Sequence, residues 1–138
     1  LVLMGAGDVD VPAGCSHLVF DAGRVSERQK WDGYAAATVF CQPSVNESLS
    51  IVLLESWLAG TPALVHGDCE VTSEHAHASG GGLAFREYDE FAEALRLLLE
   101  NPSLASRMGA AGRAYVEREY NWDSVIERLF DALGVENP

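Results

Sequence analysis

A chain of 138 residues, 48% of them apolar, is long enough for one domain with a core of its own and short for two. Nine basic residues against 21 acidic ones leave a formal net charge of -12, which argues against nucleic acid or an anionic lipid surface as partner, since both are gripped through Lys and Arg. No apolar run approaches the roughly 20 residues of a membrane helix, and Cys15, Cys41 and Cys69, without a CxxC pair, suggest neither a disulfide framework nor a zinc knuckle.

These features point to a cytoplasmic domain whose cysteines are reduced and partly buried. The abrupt apolar start at Leu1 reads as entry partway through a longer protein. In chain order, LVLM (1–4), HLVFDAG (17–23), TVFCQ (38–42) and PALVH (62–66) are short apolar runs bounded by Gly, Pro or Asp, the pattern of buried parallel strands. Between them, Ser26 and Gln29 form an S-x-x-Q capping box that starts a helix running toward Ala37. A second helix is expected from Ser50 to Ala59, stopped by Gly60 with Pro62 just beyond. Strand and helix alternating at this spacing imply βαβ units and a doubly wound parallel sheet.

After Gly80-Gly81-Gly82 and a short strand at 83–85, the chain is expected to be helical to its end. Phe91, Leu95, Leu98 and Leu99 make one apolar stripe. Asn101 before Pro102 has the form of an N-cap with proline at the first helical position. A last helix from Asn121 is expected to bury Trp122, Val125, Ile126, Leu129, Phe130 and Leu133 along one face.

Three stretches carry chemical interest. GAGD (5–8) has glycines after a first strand, but without a third glycine, and with Pro12 where a helix should begin, it reads as a loop rather than a dinucleotide fingerprint. HGDCEVTSEHAHA (66–78) crowds Asp68, Cys69, Glu70, Glu74, His75 and His77 together, yet His75 and His77 stand two apart and point to different faces of a helix, so a solvated acidic helix is expected and not a metal site. The third is NESLSIVLLESWLAGTP (46–62). Here Glu47 precedes a helix and Glu55 sits in its second turn, on the order of 10 Å away. Between them the amides of Leu49, Ser50, Ile51 and Val52 are the unpaired donors of a helix N-terminus, a ready anion site. Carboxylates for hydroxyls and amides for phosphate would suit a nucleotide sugar. The plainer alternative is a dipole partner at Glu47 and an exposed helix residue at Glu55.

PSVNESLSIVLLESWLAGTPALV resembles the donor-site signature of the retaining glycosyltransferases of family 4, where Pro-Ser precedes an E-x7-E motif leading into an Ala-x-Gly-Thr/Arg-Pro turn. Upstream, LVFDAGRVSERQKWDGYAAATVFCQPS is similar to that family's strand, Gly-x-Val turn, helix and strand. Downstream, GGGLAFREYDEFAEALRLLLENPSLASRMGAAGRAYVEREYNWDSVIERL is similar to its closing helices. The resemblance covers nearly the whole chain. It implies a single Rossmann-like domain over 1–138 with a doubly wound sheet and a helical C-terminal tail, the donor-binding C-terminal half of a GT-B fold.

By the same resemblance, Glu47 holds sugar hydroxyls and is the catalytic candidate, though as a binding residue rather than a nucleophile. Glu55 holds the ribose, the backbone of Val25 meets the base, and Lys30 occupies a basic position near the nucleotide. Pyrophosphate would lie over the helix start between the glutamates. The implied reaction is retaining transfer from a nucleotide diphosphate sugar to a hydroxyl, without cofactor or essential metal. The family's Gly-Phe-Gly is Ser48-Leu49-Ser50 here, and serine at 50 narrows the approach for phosphate. The first strand, with its Arg and Lys, and the acceptor-binding N-terminal domain would precede Leu1. An isolated chain is therefore expected to be inactive and prone to self-association, and the parent enzyme soluble or peripheral at a membrane. The alternatives are a non-catalytic donor-binding remnant and an interaction or scaffold domain of the same fold.

Overall fold

The computed structural model describes residues 1–7 and 9–135, so Asp8 of the GAGD loop lies outside the described residues. The chain packs as two compact units, a smaller one spanning Leu1–Gly33 and a larger one beginning at Tyr34.

In the smaller unit, β1 (Val2–Leu3) pairs in parallel with β2 (Phe20–Asp21). The strand expected over 17–23 is cut to two residues because a 3₁₀ turn, Ala13–Leu18, occupies its beginning. Pro12 starts that turn, with φ held at -53° and its carbonyl accepting from the Cys15 amide at 2.8 Å. The chain then reverses at Gly23, whose positive φ of 58° suits glycine and whose amide donates to Asp21 Oδ1 at 2.9 Å. The capping box forms as expected: the Ser26 amide donates to Gln29 Oε1 at 3.0 Å, the Gln29 amide to Ser26 Oγ at 3.3 Å, and α1 (Glu27–Ala36) follows.

The larger unit is built on a parallel sheet in the order β3 (Phe40–Gln42), β4 (Ala63–His66), β5 (Gly82–Phe85). The connections are α2 (Ile51–Leu58) and α3 (Glu70–Ser79), and α4 (Tyr88–Glu100), α5 (Pro102–Glu119) and α6 (Trp122–Leu133) follow. β4 explains the layering. Ala63 and Val65 point to one face and pack with Leu53, Leu54, Trp57, Ala76 and Val116; Leu64 points to the other and packs with Phe85, Leu98 and Ala105. Each fully buried aliphatic side chain of this kind contributes roughly 1.5–3 kcal/mol. Helix α5 joins both clusters, through Val116 on one face and Ala105 and Met108 on the other.

Three expectations for the tail need correction in whole or in part. Leu99 is exposed, because it lies about 100° around the axis from buried Leu98, and Ala94 completes the buried stripe instead. Asn101 is the N-cap of α5 with Pro102 at its first position, as expected, but its side chain makes no capping bond; its amide donates backward to the Leu97 carbonyl at 2.8 Å, closing the end of α4. Asn121 does cap α6, accepting from the Ser124 amide at 2.9 Å. None of the α6 residues is buried, however, and Trp122, Ile126, Leu129 and Leu133 are exposed, because among the described residues α6 packs mainly against α5 and most of its apolar face is left uncovered. Cys15 and Cys41 are likewise exposed, and only Cys69 is buried.

Trp57 is fully buried, donates from Nε1 to the Gly81 carbonyl at 2.9 Å and meets Tyr115 edge-on. Small residues make room for it. A Cβ at Gly112 would strike its indole, and one at Gly109 would land on the Gly60 carbonyl oxygen. Gly109→Ala should therefore destabilise the fold by roughly 2 kcal/mol through overpacking, despite the ~1 kcal/mol that alanine adds in helix propensity. Urea unfolding of the variant beside wild type checks this.

Behind Trp57, His75 Nδ1 lies 3.0 Å from the Tyr115 hydroxyl and Nε2 lies 3.5 Å from that of Tyr120. Burial lowers the His75 pKa from 6.5, against an opposing pull from Glu74, and burial pushes the Tyr115 phenol up to about 12. A neutral imidazole favoured by the fold stabilises it fully above 6.5, and that stability is lost as pH falls through the lower folded value. The urea midpoint should thus drop between pH 7.5 and 5 by more in wild type than in His75→Gln.

Candidate functional site at the carboxyl edge of the sheet

The loops that follow β3 and β4 meet at the carboxyl ends of the strands, where open parallel sheets bind ligands. They line a shallow, open depression formed by Val45, Asn46, Glu47, Ser48, Asp68, Cys69, Glu70 and Val71. Its shape follows from local sequence. Pro43 ends β3, Gly67 releases the chain after β4, and the starts of α2 and α3 both face the same edge.

Glu47 is held from behind. Gln42, the last residue of β3 and nearly buried, donates from Nε2 to Glu47 Oε1 at 2.8 Å. Gln42 Oε1 in turn accepts from the Ser50 hydroxyl at 2.5 Å. Ser50 is the N-cap of α2 and adopts φ 60°, ψ 69°, the left-handed region, at a cost of about 1 kcal/mol for a residue with a Cβ. Among the described residues it alone, glycines apart, has positive φ. Its side chain makes no capping bond. The first intrahelical bonds of α2 run from the Leu53 and Leu54 amides to the Ser50 carbonyl, so the amides of Ile51 and Val52 lie ahead of the ladder. Leu49, Ile51 and Val52 have exposed side chains.

Glu55, one turn further along α2, is half-buried and its Oε2 accepts from the Tyr34 hydroxyl at 3.3 Å. Tyr34 is itself buried against Phe40, and its carbonyl accepts from Thr61 Oγ1 at 2.6 Å. The AGTP turn is thereby tied to the residue that holds Glu55. Val25 and Lys30 belong to the smaller unit, where Val25 follows the Gly23 turn and Lys30 Nζ lies 3.0 Å from Glu27 Oε2.

The crowded stretch after β4 divides its groups. The Asp68 amide donates to His66 Nδ1 at 3.2 Å, Asp68 Oδ1 pairs with Arg86 Nε at 2.9 Å, His75 turns inward to the tyrosines, and His77 is exposed. Among the described residues no three His, Cys, Asp or Glu side chains converge as metal ligands, and no helix is long and apolar enough to cross a membrane.

Gln42 and Tyr34 were not singled out from the sequence as parts of a site, and Cys69 was weighed only as a metal ligand. Gln42 had one visible signal, a polar residue ending an otherwise apolar strand.

An α/β unit with a parallel sheet between layers of helices belongs to the class of Rossmann-like domains. Residues 13–115 match the family model described as glycosyl transferases group 1, and the chain belongs to that family. It is 32% identical over 121 residues to a GDP-mannose-dependent monoacylated alpha-(1-6)-phosphatidylinositol monomannoside mannosyltransferase of Corynebacterium glutamicum, covering 83% of this chain and 32% of that protein. It is 33% identical over 109 residues to a D-inositol 3-phosphate glycosyltransferase of Streptomyces coelicolor, covering 78% and 23%. Sucrose-phosphate synthase from Thermosynechococcus elongatus shares the fold, with a TM-score of 0.80 at 21% identity over 96% of this chain and 38% of that one. The chain thus spans between 23% and 38% of the length of these proteins.

Cys69 caps α3 beneath Glu47. The Thr72 hydroxyl donates to the Cys69 carbonyl at 3.5 Å; burial and the nearby Glu47 charge push the thiol pKa up, but hydrogen bonding with Thr72 and with the Glu47 backbone outweighs them and lowers it below 9.0. Thr72→Val should raise the Cys69 titration midpoint, read by the ¹³Cβ shift of that cysteine across pH 6 to 10.

Proposed function

We propose that this chain is the donor-binding half of a glycosyltransferase that moves a sugar from a nucleotide diphosphate sugar to a hydroxyl acceptor with retention at the anomeric carbon. The observation that carries this reading is the pair Glu47 and Glu55, each held by a named partner, on either side of the uncapped start of α2. Glu47 would accept from sugar hydroxyls and Glu55 from the ribose. The amides of Ile51 and Val52 would face the diphosphate. The chemistry asked of such a site is positioning and stabilisation of the departing diphosphate, with no metal and no cofactor.

Charge favours a division of labour. Three carboxylates, Glu47, Asp68 and Glu70, line the depression, and Arg86 at its edge is already paired with Asp68. An exposed helix start contributes at most about 1 kcal/mol toward an anion, so the chain supplies donor recognition, and transfer belongs to a longer protein in which cations and an acceptor domain complete the cleft. Transfer by the isolated chain should be negligible.

Calorimetric titration with UDP-, GDP- and ADP-sugars tests the reading. One nucleotide should be preferred, and Glu47→Ala and Glu55→Ala should each weaken its sugar conjugate by about tenfold or more, the loss typical of a hydrogen bond to a charged group. Binding without nucleotide preference, or unaffected by both substitutions, would favour a scaffold that has kept the fold alone.

A further inference from the structure

We propose that the buried Ser50–Gln42 pair is a positioning device for Glu47 that sets how strongly the site distinguishes a sugar-bearing nucleotide from the bare diphosphate. The ligand half of this inference rests on the donor-binding reading above; the positioning half does not.

Both residues are nearly buried, at 6% exposure, and the hydrogen bonds between them run in one direction. The Ser50 hydroxyl donates to Gln42 Oε1 at 2.5 Å, which leaves the amide NH₂ facing Glu47, where Nε2 donates to Oε1 at 2.8 Å. A carboxylate has no proton to return, so an amide flip would set Gln42 Oε1 against Glu47 Oε1, oxygen against oxygen. The carboxylate therefore fixes which way the amide faces, and the hydroxyl, donating to Oε1, holds the amide and with it the carboxylate in place. One Glu47 oxygen is committed to Gln42, and the other is left to meet a ligand.

The backbone of Ser50 gives independent support. At φ 60° a glycine would sit without strain, yet a glycine has no hydroxyl to orient Gln42. The fold accepts the strain at the one position whose side chain completes the relay, and an outlier kept in this way points to a function for the side chain. Among the described residues no buried side-chain polar atom lacks a partner, so the relay is complete without a ligand and presents Glu47 already oriented. A loose Glu47 would still be near the sugar but would lose orientation on binding. The nucleotide, which this carboxylate does not contact, would be unaffected.

The test uses Ser50→Gly and Gln42→Leu in the protein, titrated with UDP-glucose, GDP-mannose and ADP-glucose, each beside its free diphosphate. The affinity ratio of sugar conjugate to diphosphate should fall about tenfold in both variants, the scale of one charge-assisted hydrogen bond, while diphosphate affinity stays within twofold in Gln42→Leu and does not fall in Ser50→Gly, where glycine widens the approach to the helix start. Ser50→Gly should remain folded, because the roughly 1 kcal/mol of relieved strain offsets part of the lost buried hydrogen bond, and a fall confined to the conjugate-to-diphosphate ratio separates positioning from a merely structural role. Should Gln42→Leu not fold, Ser50→Gly alone decides. An unchanged ratio, or equal losses for conjugate and diphosphate, overturns the proposal.

If wild type binds none of the six ligands, the donor-binding reading fails for these nucleotides and the ligand-dependent half falls with it. A ligand-free measurement then decides the positioning half. The side-chain NH₂ signals of Gln42 in ¹⁵N–¹H spectra should be slow to exchange, should shift in Glu47→Ala and should lose their protection in Ser50→Gly. Signals unmoved by either substitution overturn it.

Discussion

The burial of Trp57 is the constraint on which the larger unit depends. Its indole has no exposed surface, its N–H is spent on the Gly81 carbonyl, and Gly112 leaves the space it fills. That contact presses the C-terminal turn of α2 against α5 and against the start of β5. Because α2 has only eight residues, fixing one end fixes the other. The position of Ser50 and of the amides after it is therefore set by packing two turns away, where nothing polar is exposed.

This arrangement separates stability from chemistry along a single helix. At its C-terminal end, Trp57, Leu53 and Leu54 are buried, and the AGTP turn is bound to Tyr34 through Thr61. At its N-terminal end stand a left-handed serine, an uncapped turn and exposed Ile51 and Val52. About 1 kcal/mol of backbone strain is tolerable there, because several buried side chains worth roughly 1.5–3 kcal/mol each hold the other end. Had the anchor been weaker, Ser50 could relax and the carboxylate it orients through Gln42 would lose its direction.

Sequence reasoning reached the elements whose signals are local. The Ser26 box, the extent of α2 and the turn after Ala59 depend on capping chemistry and on glycine and proline spacing, and they form as expected. The parallel sheet followed from β4, where Ala63, Leu64 and Val65 are apolar on both faces. The errors arose where distant packing decides. Asn101 has two helix ends within reach and serves the earlier one. The apolar face of α6 has the right period but, among the described residues, no partner long enough to cover it. The glutamates were legible from E-x7-E, whereas Gln42, Tyr34 and Cys69 were not, since their roles exist only after β3, β4 and α2 have been brought side by side.

The same assembly bears on how an acidic chain could hold an anionic ligand. A carboxylate near a diphosphate is repulsive unless its charge is directed elsewhere. Gln42 does this by placing a donor on one oxygen of Glu47, and Tyr34 does the same for Glu55. Asp68 is turned to Arg86. Each such bond satisfies one carboxylate oxygen from the protein side, and the start of α2, where backbone N–H groups point outward, is the part of this edge that favours an anion. Net charge governs solubility and long-range steering, but selectivity within a few ångströms is decided by which oxygens are already occupied. In this chain the acids nearest the helix start, Glu47 and Glu55, are each tied to a neutral donor of the protein itself.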